Sequence, residues 1–103
     1  MKKDEKELYI KALKIKGLNN QLIVALEENM ELSQSITKYI REEKEQLYGK
    51  EKLIEKIAEE ICDVEIMCAQ LKTSFGIEDS VGFYKKKKLE RLEKRLKVME
   101  GKK

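Results

Sequence analysis

Proline and histidine are both absent from the 103 residues. Without proline nothing forces a helix to break, and with 42% of residues charged the composition fits long amphipathic helices. Without histidine, His-dependent catalytic triads, His-ligated zinc and the Glu-x-x-His di-iron bundle are excluded. A metal would have to be held largely by carboxylates, which suits the hard cations magnesium, manganese and calcium. Aromatic residues make up only 6%, too few to expect a nucleic-acid binder that stacks bases. Cysteine is confined to Cys62 and Cys68. Six positions apart on one helix, their Cα atoms stand about 9 Å apart and face different ways, too far for a disulfide. A reduced, cytoplasmic compartment is therefore expected. The longest apolar run, Leu22 to Leu26, is far short of a membrane span. The opening Met1-Lys2-Lys3-Asp4-Glu5-Lys6 leads into no apolar segment, so no secretory signal is expected.

The length fits one domain over residues 1–103. Such a chain buries roughly 60–70% of its unfolded surface, enough for one thin core. Leu, Ile, Val and Met recur with a period, which separates the chain from disordered segments of similar charge. The net charge of +3 is too small to imply nucleic acid, but it is unevenly spread: the middle is acidic and the C-terminal part basic.

Four helical segments are predicted. The first runs from Asp4 to Lys16, stopped by Gly17, and Asn19 and Asn20 are placed to cap the next. The second spans Gln21 to Glu45. A connection, Gln46 to Lys50, contains Gly49. The third spans Glu51 to Ser74 and is ended by Gly76. Ile77 to Gly82 reads as a loop before a basic fourth helix reaching Glu100. The expected fold is all-α, a four-helix-type bundle completed by oligomerisation.

At 100° per residue, Leu22, Ala25, Leu26, Ile36 and Ile40 gather on one face of the second helix, with Glu27, Glu28 and Glu31 opposite. On the third, Ile54, Ile57, Ile61, Val64, Cys68 and Leu71 form the main apolar face. Glu60 falls on its margin and Asp63 one turn along, while Cys62, Ile66 and Ala69 make a second apolar surface. Two acids are thus caught on a helix packed on more than one side. Unpaired carboxylates there are costly and tend to protonate. Either a divalent cation keeps them ionised or a lysine pairs with them; the glutamates of the second helix are either a solvated face or part of the same site. Acids at i and i+3 can share an ion. Two such pairs on facing helices would hold one or two ions able to neutralise a triphosphate and activate a water, with a remaining glutamate as general base.

The strings Glu27-Glu28-Asn29-Met30-Glu31-Leu32 and Glu60-Ile61-Cys62-Asp63-Val64-Glu65 resemble the Glu-Glu-x-x-Glu and Glu-x-x-Asp motifs of MazG-like all-α nucleoside-triphosphate pyrophosphohydrolases, especially their small phage and bacterial branch. Gln21 and the run Lys88-Leu89-Glu90-Arg91-Leu92 match as well, so the likeness extends from about Gln21 to Leu96. It implies hydrolysis of a nucleoside triphosphate to a monophosphate and pyrophosphate. It implies magnesium on Glu28, Glu31, Glu60 and Asp63, with Glu27 or Glu28 in the catalytic role; the all-carboxylate donor set leads to the expectation that manganese can replace magnesium. Separately from the resemblance, a thin core on such charged helices and the second apolar surface of Cys62, Ile66 and Ala69 lead to the expectation of a homodimer or homotetramer.

In the fourth helix, Leu89, Leu92, Leu96 and Met99 form a packing seam edged by Tyr84, Lys88, Arg91 and Arg95. A basic edge of this kind is able to hold phosphate oxygens, and Lys38 is a further phosphate candidate. Lys86 and Lys87 read as solvated surface. Gln21 either reaches the nucleotide or caps and packs. Asn29 and Ser33, within the apolar face of the second helix, make either interhelical hydrogen bonds or contacts to a base or ribose. The competing functions are a non-catalytic helical interaction module and a nucleic-acid-binding bundle using the lysine run.

Overall fold

The computed structural model describes residues 1–102 and consists of four α-helices: α1 (Lys3–Lys16), α2 (Leu18–Glu45), α3 (Lys50–Phe75) and α4 (Glu78–Gly101). No strand occurs among the described residues, so the all-α expectation holds. No described helix is long and apolar enough to cross a membrane.

Gly17, at φ 81° and ψ 155°, ends α1 and begins α2 with no residue between. Asn19 and Asn20 therefore lie inside the first turn of α2 rather than capping it, because the single glycine already supplies the non-helical backbone both ends need. The loop expected over Ile77 to Gly82 shrinks to Gly76 and Ile77. Gly76, at φ 63°, closes α3 in the left-handed region, and the Ile77 amide donates back to the Lys72 carbonyl at 3.0 Å. Glu78 and Asp79 then occupy the first turn of α4, where negative charge is favoured.

α2 and α3 form the main packing pair. They run antiparallel, since Gln21 at the start of α2 bonds Gln70 and Ser74 near the end of α3. The Gln46–Gly49 turn between them is held by one buried side chain. The Glu42 carboxylate accepts from the amides of Leu47 (2.7 Å), Tyr48 (2.8 Å) and Gly49. These are amides around the N-terminus of α3 that the helix itself leaves unbonded.

The buried face differs from the expected one. The residues that close the α2–α3 interface are Gln21, Ala25, Ser35 and Glu42 on one side and Leu53, Glu60 and Met67 on the other. Of the stripe assigned to α2, only Ala25 is buried; Leu26 is 63% exposed and Ile40 64%. On α3, Ile57, Val64 and Leu71 are half-buried, while Ile54 (51%), Ile61 and Cys68 are exposed. By the 100° rule, both uncovered stripes fall on the same side of the hairpin, and the acids fall on the other. The hairpin has turned each helix so that small residues and hydrogen-bonding pairs meet.

α1 lies chiefly against α3. Its buried Tyr9 donates to Glu5 at 3.2 Å and comes within electrostatic reach of Cys62, so part of the second apolar surface of α3 faces α1. α4 packs chiefly on α3, is tied to α1 by the Lys6–Glu78 ion pair at 3.2 Å, makes no close approach to α2, and has no buried residue. Within a single chain it does not complete a four-helix core.

Candidate metal centre

α2 presents Glu28 and Glu31 one turn apart, and α3 presents Glu60 and Asp63 likewise. Glu60 is only 3% exposed. Its Oε1 accepts from Lys56 Nζ at 3.0 Å, and its Oε2 is buried with no hydrogen-bond partner. Glu28 Oε2 is also buried and unpartnered. One carboxylate oxygen from each of Glu28, Glu60 and Asp63 lies within 4.8 Å of the others.

The electrostatics follow from that crowding. Burial pushes the Glu28 carboxyl above its ordinary value, and the charges of Glu31, Asp63 and Glu60 push it further. The Lys56 ammonium is held above its ordinary value by its bond to Glu60 first, then by the charges of Glu59 and Glu60, with Glu31 contributing. Glu31 itself is exposed and stands outside the close group of three oxygens. Of the two expected alternatives, a cation or a lysine partner, the lysine is present: Glu60 gives one oxygen to Lys56 and leaves the other free. Lys56 is half exposed and also bonds Glu59 at 3.7 Å. One shared ammonium cannot neutralise three carboxylates. The donor set is all oxygen, lies within a few ångströms and contains orphaned buried atoms, which fits a hard divalent cation.

The remaining candidates are dispersed. Glu27 is exposed, outside the close group. Gln21 is 1% exposed and engaged at both ends of its amide: Nε2 donates to Gln70 Oε1 at 3.0 Å and Oε1 accepts from Ser74 Oγ at 2.7 Å. Asn29 and Ser33 make neither interhelical bonds nor a polar cluster. Each donates to the carbonyl four residues back in its own helix, Ala25 at 3.0 Å and Asn29 at 3.1 Å respectively. They stay outside because the stripe they share with Leu26 and Ile36 is uncovered. Lys38 stands on the acid-bearing side, across the groove from Lys52 and Lys56. Lys88 and Arg91 ride on α4, and the single chain does not bring them to α2. The sequence reading missed Lys56, although its i, i+4 spacing to Glu60 is the ordinary signal for a helical ion pair.

Compared with known family models, curated proteins and solved structures, the chain matches none.

Proposed function

We propose that this chain is a divalent-metal-dependent nucleoside-triphosphate pyrophosphohydrolase of the MazG-like type, with Glu28, Glu31, Glu60 and Asp63 holding magnesium. The observation that carries the reading is Glu60: a carboxylate 3% exposed, one oxygen without a partner, grouped with oxygens of Glu28 and Asp63 inside 4.8 Å. A fold gains nothing from such an atom unless something binds it.

A magnesium ion bound there would neutralise phosphate charge and acidify a water. The chain supplies the rest. Lys56 holds Glu60 through Oε1, which leaves Oε2 free for a ligand. Glu28 and Glu31, side by side on one helix, share the role of bringing the second pair of oxygens. Glu27 or Glu28 accepts a proton from the attacking water; a carboxylate crowded by its neighbours is the better base. The exposed apolar stripes of α2 and α3 are assigned to a second copy, making the working form a homodimer or homotetramer.

A second reading has its own observation. The exposed seam of α4 favours a helical interaction module whose acids are only surface charge. A panel of ribo- and deoxyribonucleoside triphosphates with magnesium, assayed for pyrophosphate release, separates the two. Release that stops in excess chelator and returns with manganese is expected. Release undiminished by chelator would remove the metal, and no release from any nucleotide would favour the interaction module.

A further inference from the structure

The acid-bearing side of the hairpin continues, from Glu60 towards the Gln46–Gly49 turn, into a cavity of about 400 Å³. Lys38 and Arg41 of α2 line it from one side, Lys52 and Lys56 of α3 from the other, above Tyr48 and Leu53. Two acids share its rim. Glu42 is already committed to the turn amides, which leaves Glu45. Lys56 is committed to Glu59 and Glu60. Lys38, Arg41 and Lys52 have no carboxylate within 4.0 Å among the described residues. Three unpaired cations therefore converge on one concavity, and Lys56 joins that concavity directly to the carboxylate group.

Like charges set opposite one another across a groove repel, and pairing with neighbouring acids would relieve them. Acids are abundant here, yet these three cations remain unpaired beside a group of carboxylates that is itself under-neutralised. Two adjacent fields of opposite sign complement one kind of ligand, a polyphosphate chain carrying a divalent cation: metal on the carboxylates, phosphate oxygens on the cations. The spacing agrees. Lys56 and Lys52 precede Glu60 by four and eight residues, roughly 6 and 12 Å along the helix, so the cations step away from the acids in the direction a phosphate chain would extend. The planar fork of Arg41 suits two oxygens of one phosphate. A nucleobase would use Tyr48 and Leu53 but has no call for three cations.

We infer that the cavity between Lys38, Arg41 and Lys52 is a subsite for the terminal phosphates of the substrate. Its substrate identity rests on the pyrophosphohydrolase reading; its anion preference rests on the cavity alone.

Inorganic tripolyphosphate is the probe, titrated calorimetrically into the full chain with and without magnesium. Manganese binding is followed separately by electron paramagnetic resonance. The variant R41Q/K52Q removes two cavity charges from exposed side chains, and K14Q/K86Q removes the same number elsewhere on the surface. The wild type and K14Q/K86Q are expected to bind tripolyphosphate alike. R41Q/K52Q should bind it about tenfold more weakly or worse, with manganese binding unchanged. Wild-type affinity in R41Q/K52Q, an equal loss in K14Q/K86Q, or no binding by the wild type would each overturn the subsite. A wild type that binds tripolyphosphate in the cavity but no manganese would instead sink the metal reading and leave the anion site standing.

Discussion

At the residue scale the decisive side chain is Glu60. It stands at a position where Leu53 and Met67, seven residues before and after, are buried apolar side chains. An apolar residue there would pack the hairpin better, so the carboxylate is a cost to the fold. Removing charge from the group relieves repulsion in the metal-free protein. Glu60→Gln and Asp63→Asn are therefore expected to melt at or above the wild-type temperature without metal, and to lack the rise that magnesium is expected to bring to the wild type. The amine that Glu60→Gln leaves behind is half exposed, so stranding it costs little. Variants that melt well below metal-free wild type, with magnesium affecting neither, would make these acids purely structural.

At the scale of elements, the turn between α2 and α3 depends on Glu42. Burial alone would raise its carboxyl, but the amides of Tyr48, Leu47 and Gly49, helped by Lys50, outweigh burial and hold it below the ordinary 4.5. A group whose folded value is depressed contributes stability that is present above its unfolded value and lost as pH falls through the folded one. Metal-free protein should therefore lose melting temperature as pH drops below about 4.5. Glu42→Gln should melt several degrees lower at neutral pH and show a flatter acid limb. An unchanged acid limb in that variant would mean that other carboxylates control the loss. The element least accounted for is α4. Its local contacts, Lys87 above the Phe83 ring at 4.8 Å and the edge-to-face pair of Phe83 with Tyr84 at 5.6 Å, are internal to the helix.

At the scale of the whole molecule, the single chain is too open. Its accessible surface is 8707 Å², against about 6,000 Å² for a folded monomer of this mass. Its radius of gyration is 17.7 Å, against about 13 Å for a compact chain of this length. The excess is larger than one side of an ordinary protein interface, about 800 Å². Sedimentation should show at least a dimer at micromolar concentration, and Ile40→Glu, placed in the uncovered α2 stripe, should weaken it. A wild-type monomer at that concentration would count decisively against the oligomer. The expectation that Lys88 and Arg91 of α4 hold phosphate oxygens in an oligomer is open to test by substitution. Lys88→Ala and Arg91→Ala should each weaken substrate binding by ~1.5–3 kcal/mol, the worth of a charge-assisted bond, with melting unchanged. Wild-type kinetics in both would leave the strip as surface.

Helix number, the helix ends to within three residues apart from the start of α4, the stops at Gly17 and Gly76 and the placing of Glu28, Glu31, Glu60 and Asp63 as adjacent-turn pairs were legible in the sequence. Each depends on interactions spanning a few residues: backbone freedom at glycine, the i, i+3 geometry of a helix, charge near helix ends. What the sequence alone left open was the rotation of each helix about its own axis. The wheel showed two apolar stripes and took them for the core. The packed pair instead buries Gln21, Ala25, Glu42, Leu53 and Glu60, because Gln21 finds Gln70 and Ser74, and Glu42 finds the turn amides. Such matches join residues distant along the chain or held by a particular turn, and no periodicity records them. The same rotation turned Glu60 from a marginal acid into a buried one, and left α4, most of the α2 stripe and the Ile54, Ile61 and Cys68 edge of the α3 stripe without cover. Only the tertiary arrangement decided these, since burial belongs to what stands opposite a side chain and not to the side chain itself.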